Sequence, residues 1–122
     1  MKLLFVKTPE TFQMLRIEAL LGNNDVMEIS EALKKIQIGG LTVTKVRGRG
    51  KKPPPEIHAS KGSAIFQPQF SQKYVIVAII PENKEEEVIN IIKEKGTVGK
   101  IFVSPILRAV DIATGTEGEE VI

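Results

Sequence analysis

The sequence predicts an α+β fold, an antiparallel sheet with its helices on one face. Three observations carry the prediction. Stretches of strand-like alternation or short apolar runs are interleaved with two stretches of helical period. A long glycine- and proline-rich segment separates two similar halves. The chain has 122 residues, 42% of them hydrophobic, which suits one core and one domain.

The elements follow in order. Phe12 to Leu21 reads FQMLRIEALL; Leu15, Ile17 and Ala19 alternate with Arg16 and Glu18, as a half-buried strand requires. Gly22-Asn23-Asn24 forms a turn, and Asp25 is placed to cap a helix. Val26, Ile29, Leu33 and Ile36 then recur at helical spacing, and Ile38-Gly39-Gly40 is expected to end that helix. Leu41 to Val46 is β-branched and alternating, a second strand. From Arg47 to about Gln72 the chain holds Gly48, Gly50, Pro53 to Pro55, Gly62 and Pro68, which exclude helix and central strand. A connection this long in a compact domain is unusual, and is normally functional or disordered. Tyr74 to Ile80 is an apolar strand. Pro81 and Glu82 are expected to open a second helix, with Asn83 as a cap and Gly96 as its end. Lys100 to Val103 is a fourth strand, Ile106 to Val110 a helical turn and Asp111 to Ala113 a short strand.

The resulting order, β-α-β-β-α-β, matches the ferredoxin-like arrangement, with the long loop between the second and third strands. Residues 1–11 are read as an N-terminal extension and 12–122 as the domain. Lys7 and Pro9 interrupt the opening apolar run, and no small-residue cleavage site follows, so it is not read as a secretory signal. No apolar run approaches the roughly 20 residues of a membrane helix, and cytoplasmic residence is the expectation.

Composition narrows the chemistry. There is no cysteine, which rules out a disulfide, a thiolate metal site and a thiol nucleophile. The net charge of +2 gives no reason to expect nucleic acid. Its distribution is more informative. Lys45, Arg47, Arg49, Lys51 and Lys52 crowd one stretch, interspersed with Gly48 and Gly50. Glycines let backbone N–H groups approach an anion, and the cations add field. No helix follows this stretch, so it is neither a P-loop nor a dinucleotide fingerprint. A solvated basic loop is the competing reading. Thr97-Val98-Gly99-Lys100 is a second glycine-basic turn, and the two together suggest one phosphate site. The lone His58 has no recognisable metal-ligand spacing around it, and no nucleophile-base pair is visible, so no catalytic residue is assigned.

In order along the chain, Gly40-Leu41-Thr42-Val43-Thr44-Lys45-Val46-Arg47-Gly48-Arg49-Gly50, Ile79-Ile80-Pro81-Glu82-Asn83, Gly99-Lys100-Ile101-Phe102-Val103-Ser104-Pro105 and Thr114-Gly115-Thr116-Glu117-Gly118 resemble the PII family of nitrogen-signalling proteins. The resemblance runs from about Phe12 to Gly118, and the basic, proline-rich loop is most similar to the nitrogenase-associated branch. It implies a homotrimer with ATP or ADP in clefts between subunits, 2-oxoglutarate as a further ligand in many members, and no enzymatic activity. The long loop would reach a regulated partner, such as an ammonium or other transporter or a metabolic enzyme. Carried across by position, Thr42 and Ile79 would border the adenosine. Gly48, Gly50, Lys51, Gly99 and Lys100 would approach the phosphates, and Lys73 the phosphate or 2-oxoglutarate end. The departures are specific. The family's glycine-aspartate-glycine-lysine turn reads Thr97-Val98-Gly99-Lys100 after a shortened connection, and Asp111 and Ala113 stand where two phosphate-reaching arginines are usual. The arginine and glutamine of the first phosphate loop are Lys51 and Lys52, and the modifiable loop tyrosine is missing. These departures imply a weakened or altered nucleotide site. The alternative is an interaction module of the same fold whose site has decayed.

Overall fold

The computed structural model describes residues 13–51, 57–58, 65–66 and 69–122. The expected N-terminal extension and much of the expected long loop lie outside these residues. The sheet has four strands, β1 (Met14–Leu21), β2 (Thr42–Gly48), β5 (Ser71–Pro81) and β6 (Gly99–Pro105), in the order β2-β5-β1-β6. Every pairing between them is antiparallel. Helices α1 (Val26–Lys35) and α2 (Glu85–Lys95) pack together over one face. This is the ferredoxin-like order that the sequence predicts.

The strand period decides which face is covered. On β1, Leu15, Ile17, Ala19 and Leu21 are buried, and Ile76, Ala78 and Ile80 do the same on β5. Pairs such as Ala19↔Ile76 and Ile17↔Ala78 put these side chains on one side of the sheet. Ile29 and Leu33 of α1 and Val88 and Ile92 of α2 close the core above them. Burying a side chain of this size is worth about 1.5–3 kcal/mol, so the alternation fixes the register firmly.

The opposite face carries Arg16, Glu18 and Leu20 of β1, Lys73, Val75, Val77 and Ile79 of β5, and Lys100, Phe102 and Ser104 of β6. No element covers it among the described residues, and Phe102 remains 50% exposed.

Several local expectations are corrected. The first helix does not end at Gly39-Gly40. Gln37 takes the left-handed conformation, φ 72°. Its N–H donates to Lys34 O at 3.2 Å, and the Ile38 N–H donates to Leu33 O at 3.0 Å. These are the two bonds of a Schellman ending, and Ile38 is buried with Leu33 as that motif's apolar contact. The second helix does not start at Pro81. That proline ends β5, a single 3₁₀ turn follows at Glu82–Lys84, and α2 begins at Glu85 without a side-chain cap. Glu85, Glu86 and Glu87 occupy its first turn, where carboxylates suit the helix dipole. Lys84 Nζ donates to Ile36 O at 2.8 Å, supplying a partner at the end of α1.

The long connection is not wholly irregular. Two short strands, β3 (Ile57–His58) and β4 (Ile65–Phe66), pair antiparallel within it. After β6, residues 106–110 form no helical turn. The Ile106 N–H donates to Met14 O at 3.0 Å, and Val110 bridges to Glu117. Asp111 to Ala113 is the turn between those two positions, not a strand, and a short 3₁₀ turn follows at Glu119–Val121.

Candidate anion-binding site

The residues picked out by the sequence fall into two groups on the structure. The first lies along β2 and β5. Thr42 pairs with Val77 and is exposed; Ile79, two residues further on, lies diagonal to it on the open face. At the other end of β2, Val46 pairs with Lys73 and Gly48 with Ser71. A Cβ at Gly48 would stand 3.3 Å from Lys73 Cδ, so the lysine stem crosses over that glycine. Gly50 and Lys51 continue beyond the strand end and are exposed. The base of the long loop therefore presents Lys73 and Lys51 beside backbone left bare by glycine. No ion pair among the described residues involves either lysine.

The second group is the α2–β6 turn with Gly99 and Lys100. Gly99 has φ 144°, and a Cβ there would fall 2.0 Å from Leu20 O. Glycine is thus required for β6 to approach β1, with or without a ligand. Lys100 pairs with Leu20, which pairs with Val75, placing it on the same open face as Lys73. The groups nevertheless sit at opposite edges of the sheet. Three strand spacings separate β6 from β2, about 14 Å. Within one chain the two glycine-basic turns therefore stand apart, at the two edges of the sheet.

A feature that sequence reasoning missed holds the second turn in place. The Asp25 carboxylate makes no capping bond to α1. Instead its Oδ2 accepts from the Thr97 N–H and from the Thr97 hydroxyl, each at 3.1 Å. Asn23 Nδ2 donates to that same hydroxyl oxygen at 2.7 Å, and the Gly22 N–H donates to Val98 O at 3.0 Å. The turn before α1 is thereby tied to the turn after α2. A separation of 72 residues between Asp25 and Thr97 hides this pairing from any local pattern.

The C-terminal segment explains what occupies the places of the two expected arginines. Asp111 Oδ1 accepts from the Ala113 N–H at 2.9 Å and the Thr114 N–H at 3.0 Å. The Thr114 amide foremost, then its hydroxyl, hold the Asp111 carboxyl below the usual range. Asp111 therefore builds an Asx turn. The nearby Arg108 donates through Nε and Nη2 to the two oxygens of Glu117, Nη2 to Oε2 at 3.2 Å. That hydrogen-bonded pairing lowers the Glu117 pKa and raises that of Arg108. Among the described residues no group of three or more His, Cys, Asp or Glu side chains is placed to hold a metal ion. No helix of the described residues is long and apolar enough to cross a membrane.

The chain is a small α+β domain of ferredoxin-like order, with an uncovered sheet face and with lysines beside glycines at the root of a long inter-strand connection. The comparisons specify the family. The family model for nitrogen regulatory protein P-II matches residues 14–116. The chain is 32% identical over 115 residues to the nitrogen regulatory protein P-II of Haemophilus influenzae, covering 89% of this chain and 100% of that one. It is 33% identical over 111 residues to the P-II homolog of Arabidopsis thaliana, covering 86% of this chain and 56% of the longer plant protein. The structure of B. subtilis GlnK in complex with ATP superposes with a TM-score of 0.71 at 25% identity, covering 90% of this chain and 98% of that one. The chain belongs to the P-II nitrogen regulatory protein family, a family of signalling proteins.

Proposed function

We propose that this protein is a non-enzymatic, cytoplasmic sensor that binds an adenine nucleotide, ATP or ADP, or a related anionic metabolite, in clefts between the subunits of a homotrimer. Binding biases the segment 47–72 and so its grip on a regulated partner, an ammonium or other transporter or a metabolic enzyme, in nitrogen regulation. Such a switch works by the ligand's preference for one arrangement of the loop. The observation that carries this reading is the shared open face. Thr42, Ile79, Gly48 and Lys73 line its β2–β5 half, and Lys100 stands on the same face at the far edge. A cleft that uses both groups is completed by a second copy, whose β6 edge meets the β2 edge of the first. The GlnK relative solved with ATP supports the ligand class. Thr42 and Ile79 take the adenosine, and Gly48, Gly50, Lys51, Gly99 and Lys100 the phosphates. Lys73 serves the terminal phosphate or 2-oxoglutarate.

The second reading, an interaction module with a decayed site, draws on Asp111, which brings negative charge and an Asx turn to the place of a phosphate-binding arginine. Calorimetric titration with ATP, ADP, AMP and 2-oxoglutarate separates the two. The sensor reading expects saturable binding of an adenine nucleotide, with ATP disfavoured. Each charge-assisted contact is worth about 1.5–3 kcal/mol, so Asp111→Arg with Ala113→Arg should tighten ATP by roughly two orders of magnitude. No heat with any of these ligands leaves the interaction module.

A further inference from the structure

The helix layer does not reach across the whole sheet. Ile76 of β5 is 2% exposed, whereas Val43, its pair partner on β2, is 45% exposed on the same side. Two residues further along β2, Lys45 pairs with Tyr74, and Arg47 then pairs with Gln72. Directly paired residues point to one side of a sheet, and successive residues alternate. Val43, Lys45 and Arg47 therefore form a row on the helix-covered side of β2, with Tyr74 and Gln72 beside it. The residues of these two strands assigned to the nucleotide, Thr42, Gly48, Lys73 and Ile79, all stand on the other side.

The row is braced at its centre. The Tyr74 ring packs half-buried against the core. Gln72 Nε2 donates to its hydroxyl oxygen at 2.8 Å, and Lys45 Nζ stands 5.9 Å from the ring centroid, within reach of a cation–π contact. The ring restricts the lysine, so less freedom is lost when a partner engages it. Lys45 and Arg47 are exposed, and neither forms an ion pair among the described residues. Successive positions of the row are two residues apart, about 7 Å on an extended strand. An extended segment with carboxylates at alternate positions, and an apolar residue two further on, repeats that spacing and complements the row's charge.

We propose that this flank of β2 docks an extended acidic segment of the regulated partner, of the pattern acidic-x-acidic-x-apolar. Its carboxylates face Arg47 and Lys45, and its apolar side chain covers Val43. Arg47 is also the first residue of the segment 47–72, so the partner is held at that segment's root, on the side of the sheet away from the nucleotide. The inference rests on the regulated partner proposed above and not on nucleotide binding.

The test is fluorescence anisotropy of the labelled peptide Ser-Glu-Thr-Glu-Thr-Ile-Ser with the intact protein at low ionic strength. Saturable binding is expected, weakened about fivefold or more by Lys45→Glu and by Arg47→Glu with unchanged circular dichroism. Lys34→Glu makes the same charge change on an exposed residue of α1 and should leave binding within about twofold. The isomer Ser-Glu-Glu-Thr-Thr-Ile-Ser should bind about threefold more weakly or less. No binding of the first peptide by the native protein overturns the proposal. Equal loss in Lys34→Glu, or equal binding of the two peptides, overturns it as well, since net charge alone then explains the attraction. An oligothymidylate of the same charge that binds more tightly than the peptide, and is lost in the same variants, overturns it in favour of nucleic acid. ADP titrated into the native protein keeps the two readings apart. ADP bound without the peptide overturns this inference alone; the peptide bound without ADP supports it and overturns the nucleotide sensor.

Discussion

Gln37 sits at φ 72°, a conformation that costs an L-residue roughly 1–2 kcal/mol and glycine almost nothing. Gln37→Gly should therefore stabilise the protein by about 1 kcal/mol, read as a higher urea midpoint at unchanged slope. Gly99 is the converse. Any Cβ there meets Leu20 O, so Gly99→Ala should destabilise by about 2 kcal/mol or more in the same assay, whether or not a nucleotide is bound. At the C-terminal turn, the carboxyls of Asp111 and Glu117 titrate below their ordinary range. Their contribution is complete above that range and is lost as pH falls through the lowered values. Amide protection at Ala113 and Thr114, relative to the intrinsic exchange rate at each pH, should persist down to the ordinary carboxylate range and be lost below it; Asp111→Ala should remove it throughout. Single residues were the least legible part of the sequence. Asp25 reads as a helix cap by its place before Val26, and only the fold shows that its carboxylate is committed to Thr97.

Elements were legible where burial enforces a period. β1, β5 and both helices follow from alternation or from helical spacing, because each must turn one apolar face toward the same core. The strands run longer than the sequence suggested: β5 starts at Ser71 and β6 ends at Pro105. Pairing with β2 extends β5 back to Ser71 and pairing with β1 extends β6 to Pro105, past their apolar residues, and pairing is a property of the neighbour. The segment after β6 was misread for a related reason. Its turn is set by Asp111 and the Val110↔Glu117 bridge rather than by an apolar pattern. The tie between the α1 and α2 flanks is the element-scale contact most open to test. Asp25→Ala and Thr97→Val should each cost about 0.5–1.5 kcal/mol. The double variant should cost less than their sum, and a coupling near zero in the thermodynamic cycle would show the two residues to be independent.

For the whole molecule, the uncovered sheet face sets the argument. Leu20, Val75, Val77, Ile79 and Phe102 share it with the charged pair Arg16 and Glu18, whose side chains meet at 2.7 Å. An antiparallel sheet tolerates one wet face, but one this apolar gains from association. The proposed nucleotide site follows the same logic: the two groups of residues assigned to it stand at opposite edges of one chain's sheet. The sequence showed the glycines and lysines of both halves, and the resemblance ordered them. The distance between the halves became visible only with the strand order. The most direct measurement is native mass spectrometry of the purified protein with and without ATP and ADP. A trimer that takes up to three nucleotides, with ADP retained at lower concentration than ATP, is the predicted result. A monomer, or a trimer that carries no nucleotide, would contradict the account.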